Sequence, residues 1–232
     1  PSNGLFLGEQ LVHEHLEVKK ALEIGAGKYS PASFCLCSAD LDVRIDADEI
    51  QEDEAEYLQY LISLNKLGER FRVYGGSIFE PVKRKTYDLI YSNIAQLPLP
   101  SGEEVRIHDH GGVDGWRWLS LIIEDAPQFL NSNGHLAFMV FDFFGIRQRN
   151  NNSIPSLFER LEGRGFEIIK QRLYRRGIRL GGQTHKSLPH ILQIYPKALF
   201  YNEYRKTVNP LQCLKEGVPV FSDFVFILAR LR

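Results

Sequence analysis

The chain has 232 residues, 44% of them hydrophobic, and a formal net charge of -1 at pH 7. That length buries one large core, or a core with a small appendage. The near-neutral balance gives no bulk attraction to nucleic acid or an anionic membrane surface, and no run of about 18 apolar residues is present to cross a bilayer.

No signal-peptide pattern is visible, which points to the cytoplasm. The chain begins at Pro1 without a methionine, which leaves room for residues before it. Cys35, Cys37 and Cys213 have neither disulfide-framework nor metal-knuckle spacing. They read as reduced, buried thiols, with a local redox role for Cys35 and Cys37 as the alternative. No metal site is assigned.

Strand-like runs alternate with helix-like runs, as in a parallel sheet covered by helices. Residues 20–24 form a short apolar strand that ends at Gly25, and 42–47 (DVRIDA) alternate as a second strand. Residues 52–67 place Ala55, Leu58, Leu61 and Ile62 at helical spacing behind an acidic first turn. Strands follow at 71–74 and 87–92, a helix at 116–130, a turn at Asn133-Gly134 and a strand at 135–141. A helix at 156–163, a strand at 166–174 and an apolar closing strand at 221–231 complete the series. Between the last two strands, residues 175–220 carry four prolines, Gly181-Gly182 and many tyrosines and basic residues. One domain over 1–232 is expected, with 175–220 inserted as a lid over a bound substrate.

The first strand runs into Gly25-Ala26-Gly27, and the third glycine of a nucleotide loop is replaced by Lys28-Tyr29-Ser30. Such a segment is either a tight strand-to-helix turn or a loop that lets a ligand approach the backbone. A nucleoside cofactor at the carboxyl ends of such strands also needs a carboxylate about 20 residues on, to accept from the ribose hydroxyls. Glu49 stands at that distance, with Asp46 and Asp48 as rivals.

Four stretches carry a resemblance: ALEIGAG, EIQEDEAEYLQYLISLN, RVYGGSIFEP and YDLIYSNIAQLP. They resemble successive motifs of class I S-adenosylmethionine-dependent methyltransferases. GGVDGWRWLSLIIEDAPQFLNSNGHLAFMV, from Gly111, is similar to a block of the release-factor glutamine methyltransferase family. The likeness extends over residues 5–175. It implies a Rossmann-like fold, a seven-stranded mostly parallel sheet with its last strand antiparallel and helices on both faces, and S-adenosylmethionine as methyl donor. Carried over, Glu23, Gly25, Ala26 and Gly27 line the methionine part of the cofactor; Lys28 and Tyr29 would then either point at its carboxylate or cover the site. Glu49 holds the ribose, Ile50 packs on the adenine, Ser77 and Ile78 edge it, and Asn93 sits where the methyl group meets the acceptor.

The departures are specific. The family's Pro-Pro-Tyr after the asparagine, which grips a planar nitrogen, is Ile94-Ala95-Gln96 here, so an amide stands where a ring stood. Ser77 replaces an aspartate at the adenine. The helical domain that precedes the catalytic part in the family has no counterpart in this sequence.

Other residues near the site have several readings. His108 and His110 flank Asp109 in the loop before Gly111, as a solvated loop, a proton acceptor or, with Asp109, a metal ligand set. One of Trp116 and Trp118 belongs to the core and the other to the substrate; Trp116 is assigned to the substrate. His185, His190, Tyr195, Tyr201 and Tyr204 are lid residues or surface, with His185 and Tyr204 the substrate assignments. The basic stretch RLYRRGIR, from Arg172, either meets an anionic substrate or protects an exposed strand edge. The leading expectation is methyl transfer to nitrogen or oxygen of a small-molecule acceptor, as in secondary metabolism. Protein glutamine methylation and a non-catalytic cofactor-binding partner subunit are the alternatives; a nucleic-acid acceptor is disfavoured.

Overall fold

A parallel sheet whose strands are covered on both faces needs long apolar runs, and this chain supplies them. A computed structural model describes residues 2–102 and 110–232. The strands are β1 (Lys20–Ile24), β2 (Arg44–Glu49), β3 (Phe71–Gly75), β4 (Tyr87–Ser92), β5 (Leu130–Phe141), β6 (Phe166–Gly177) and β7 (Phe221–Leu231). They form one seven-stranded sheet in the order β3-β2-β1-β4-β5-β7-β6. Strands β1 to β5 run parallel, and β7 inserts antiparallel between β5 and β6. The core follows the centre of the sheet: Leu22, Ile24, Ile90, Leu136–Val140 and Phe226–Leu228 are all buried.

The helices are α1 (Asn3–His13), α2 (Pro31–Ala39), α3 (Glu52–Leu64), α4 (Arg117–Asp125), α5 (Leu157–Glu162), α6 (Gln183–Ile194) and α7 (Pro210–Lys215). No helix among the described residues is long and apolar enough to cross a membrane.

Several expectations need correction. The turn expected at Asn133-Gly134 lies inside β5, which starts at Leu130 rather than at residue 135. Strand β2 lies two residues later than expected, so Asp48 and Glu49 are within it rather than after it. The helix expected over 116–130 ends at Asp125, because Pro127 cannot donate to a continuing helix. The sixth strand runs on to Gly177, so the first three residues of the segment 175–220 pair with β7.

Strand β1 has β2 on one side and β4 on the other. The chain leaves β1 in one direction and resumes in the other, which opens a crevice at the carboxyl ends of these strands.

Candidate active site

The loop after β1 turns sharply. Gly25 and Gly27 have φ of +66° and +59°, and Ser30, which precedes Pro31 at the start of α2, has +37°. The first three amides of the loop all point at the end of β2. Gly25 N donates to Asp48 Oδ1 at 3.3 Å, Ala26 N to the Asp48 carbonyl at 3.0 Å, and Gly27 N to Glu49 Oε2 at 2.8 Å. A pyrophosphate-binding loop needs its amides free and no carboxylate behind them. The amides of Gly25, Ala26 and Gly27 are instead spent on β2 and are not free to bind a phosphate.

The three rival acids separate by what holds them. Asp46 is held by Lys85 Nζ and the Tyr87 hydroxyl, both at 2.9 Å, away from the loop. Asp48 joins two loops, accepting from Gly25 and, through Oδ2, from Ile78 N at 3.0 Å. Burial pushes its carboxyl well above the usual range. Glu49 accepts from Gly27 and, through Oε1, from Gln51 N at 2.9 Å. Each of its oxygens keeps a lone-pair direction for a ligand.

Gly25, Gly27, Glu49 and Ile50 line one cavity with Ser77, Ile78 and Asn93, about 110 Å³ in volume. Ile78 is a β-branched residue at φ +55°, a strained backbone held in place by its bond to Asp48. Trp118, Gln51 and Glu54 also line this cavity; the sequence reading missed Gln51 and Glu54 and had Trp118 only as the alternative to Trp116. Asp48, Glu49 and Glu54 make the lining acidic, and none of the lining residues described is basic.

Three cofactor assignments fall outside it. Glu23 is buried beneath the loop, where it accepts from the hydroxyls of Ser30 and Ser33, and Ser33 also bonds Tyr91 at 2.6 Å. Burial lifts the Glu23 carboxyl to about 7, against the opposing pull of the serine hydroxyls. It braces the loop from below. Ala26 is buried, and its amide is spent on β2. Tyr29 is exposed, with Lys28 over its ring and Tyr57 edge-on at 5.8 Å.

A second cavity, of about 310 Å³, lies beyond Asn93, Ile94 and Ala95, which line both. The Asn93 side chain is exposed and makes no hydrogen bond among the described residues. Gln96, a candidate catalytic residue where the family's motif carries its ring, is instead fixed in the fold. Its Nε2 donates to the Met139 carbonyl at 2.7 Å and its Oε1 accepts from Phe141 N at 3.0 Å. That amide stitches the segment after β4 to β5, although the residue still forms part of the cavity wall.

The Gly111–Gly115 block presses on the same segment. A Cβ on Gly111 would lie 2.5 Å from the Gln96 backbone. Gly111 N donates to the Leu97 carbonyl, and Leu99 N to that of Gly112, both at 3.0 Å. The block is a backing plate for Asn93–Leu97. His110 belongs to it: its Nδ1 accepts from Gly112 N at 3.0 Å, and it lines neither cavity. His108 lies outside the described residues.

The tryptophans are reversed from the assignment. Trp116 is buried against Phe144, with the Arg160 guanidinium over its ring, while Trp118 reaches the first cavity. The lid assignments also shift. His185 Nδ1 accepts from Gly181 N at 2.9 Å, and Tyr204 is 74% exposed; neither lines either of the two cavities. His190 Nε2 meets the Val113 carbonyl at 2.7 Å, and the Tyr195 hydroxyl donates to the Asp114 carbonyl. These two fasten α6 to the glycine block. Arg179 and the residues at the start of α6 line the second cavity instead.

Sheet order, the antiparallel β7 and cavities at the carboxyl ends of β1, β2 and β4 define the class I methyltransferase fold. Solved structures share it. The YcgJ protein of Bacillus subtilis matches with a TM-score of 0.59 and 11% identity, over 98% of each chain. A polyketide-synthase O-methyltransferase of Brevibacillus brevis, in complex with S-adenosyl-L-homocysteine, matches with 0.55 and 14% over 97% of this chain and 72% of that one. By sequence the chain is similar to release factor glutamine methyltransferase of Aquifex aeolicus, 35% identical over 106 residues, 41% of this chain and 34% of that protein. It is 31% identical over 100 residues to ribosomal protein uL3 glutamine methyltransferase of Bradyrhizobium diazoefficiens, 40% of this chain and 31% of that protein. The matched segments thus span about a third of the length of these relatives. No family model matches the chain.

Proposed function

We propose that the chain is an S-adenosylmethionine-dependent methyltransferase that methylates nitrogen or oxygen of a small-molecule acceptor. The observation that carries this reading is the common wall: Asn93, Ile94 and Ala95 separate an acidic cavity beside the glycine loop from a larger one beyond it.

The residues present fit the cofactor. Its sulfonium and ammonium suit an acidic lining, its ribose diol suits Glu49, and its lack of phosphate suits a loop whose amides are already bonded. Ile50 and Ile78 offer apolar contact to a base, Ser77 an edge, and Gly25 and Gly27 close backbone approach. Bound there, the cofactor supplies a methyl group on positively charged sulfur, an electrophile that needs little acid–base help.

The chain's own task is then alignment and exclusion of water. Asn93 Oδ1 accepts a hydrogen bond from the acceptor's nitrogen or oxygen and turns its lone pair toward the wall, and the proton displaced on methylation leaves to solvent. Ile94, with the Gly111–Gly115 block and Gln96 behind it, keeps that wall rigid. We read residues 175–220 as an insertion whose first residues close the acceptor cavity.

Calorimetry with S-adenosylhomocysteine tests the first half, and failure to bind overturns it. Methyl transfer to small nitrogen and oxygen acceptors, lost in Asn93→Ala with binding retained, tests the second. The similarity to glutamine methyltransferases favours a second reading, a protein glutamine acceptor. Methylation of glutamine peptides from a release factor or ribosomal protein, in preference to small acceptors, would establish it.

A further inference from the structure

The two cavities that share the Asn93–Ala95 wall differ in charge. The first is lined by the carboxylates of Glu49 and Glu54, with Asp48 pushed by burial toward its neutral form. The second has no acidic residue among its described lining and is lined by two arginines, Arg176 and Arg179. The strand that ends there separates its arginines by role. Arg175 is bound to Asp223, with Nε to Oδ1 at 3.0 Å and Nη2 to Oδ2 at 3.3 Å. Arg176 projects to the opposite side of the strand. Its Nη1 donates to Asn3 Oδ1 at 3.3 Å and the group stands 6.0 Å from the Phe224 ring. No carboxylate among the described residues pairs with Arg176 or Arg179.

A planar guanidinium left without a carboxylate, at the rim of a cavity, is matched in geometry and charge to a carboxylate brought by a ligand. The cavity's interior suits the rest of such a molecule. Phe141 and Phe224, with ring centroids 4.0 Å apart, give it an apolar wall. The volume of about 310 Å³ is that of a small-ligand site.

We propose that the acceptor is a small molecule bearing a carboxylate, bound by Arg176 and Arg179, with its apolar body on Phe141 and Phe224 and its nucleophile at Asn93. This rests on the methyltransferase reading and adds the acceptor's chemical class. It also gives the site its polarity: an acidic cavity for a cationic donor, and a basic one for an anionic acceptor.

The test uses the full chain saturated with S-adenosylhomocysteine, whose binding is read first and alone, so failure at that stage counts against the methyltransferase reading. Matched acid and amide probes are then titrated: para-aminobenzoate with para-aminobenzamide, and phenylpropionate with phenylpropionamide. The acids are expected to bind at least about tenfold more tightly than the amides. Arg176→Gln combined with Arg179→Gln should abolish that preference and leave S-adenosylhomocysteine affinity unchanged. Arg172→Gln, on the same strand but outside the cavity, should leave it intact. Equal or tighter binding of the amides, binding of neither acid, or a preference that survives the double substitution would overturn the proposal.

Discussion

Glu49 Oε2 accepts the amide hydrogen of Gly27 at 2.8 Å, so the last residue of β2 holds the loop that follows β1. The same carboxylate lines the cavity in which the ribose would lie. Glu49→Ala should therefore weaken S-adenosylhomocysteine binding by about 1.5–3 kcal/mol, the loss of a charge-assisted hydrogen bond, measured by calorimetry. If affinity is unchanged, Asp48 is the ribose ligand. Asp46 is no longer a rival, since Lys85 and Tyr87 occupy it.

Gly25 needs to be glycine for two separable reasons. Its φ of +66° costs any other residue about 1–2 kcal/mol. A Cβ there would also lie 2.6 Å from Ile94 Cδ1. The Ile94 side chain can yield, but only within the wall between the two cavities. Gly25→Ala should lower the urea midpoint and also reduce cofactor affinity. Adding Ile94→Ala should restore part of the affinity while the backbone cost persists, so the double-mutant cycle should be non-additive. Strict additivity would mean that the methyl group and Ile94 never meet.

The framework of the fold was legible because a buried parallel strand is an apolar run. The bounds expected for β1, β4 and β7 coincide with those observed. Strand β2 was misplaced because the alternation of DVRIDA breaks at Asp48-Glu49, and only backbone pairing with Tyr74 and Gly75 of β3 carries the strand through those two residues. Residues of the first cavity could be collected because each follows a recognisable strand end. Which way an individual side chain turns was not legible. Trp116 and Trp118 are two residues apart at a helix start, so they face differently, and only the position of Phe144 decides which is core. The structural role of Gln96 was not legible because its partners, the Met139 and Phe141 backbone atoms, lie more than 40 residues away. Helices α1 and α2 were missed; α2 starts behind a left-handed Ser30 that makes no side-chain cap, and neither helix has an acidic first turn.

Gln96 offers a direct test of that correction. Gln96→Leu removes both strand-bridging bonds and leaves the buried Phe141 amide unpaired, which costs about 1–3 kcal/mol. Urea denaturation should show this loss, with acceptor KM little changed at temperatures where the variant is folded. A stable variant with a greatly raised KM would return Gln96 to the acceptor.

The Glu23 carboxyl, buried under Ser30 and Ser33 and raised by burial to about 7, makes stability depend on pH in a definite direction. Below the ordinary glutamate value of 4.5, folded and unfolded chains both hold the proton. Between 4.5 and about 7 the folded protein keeps a proton that the unfolded chain has released. Stability therefore falls as pH rises across that window, by about 1.4 kcal/mol per unit and about 3 kcal/mol in all. Asp48, also raised by burial, slopes the same way, so the wild-type curve alone does not isolate Glu23. Glu23→Gln does: an amide can bond both serine hydroxyls and has no proton to lose. Urea denaturation from about pH 5 to about pH 8 should show the variant close to wild type at the acid end and more stable at the alkaline end. Parallel curves would mean that Glu23 is ionised throughout, and the two serines, together with the Tyr91 hydroxyl behind Ser33, would then be holding a buried carboxylate under the glycine loop.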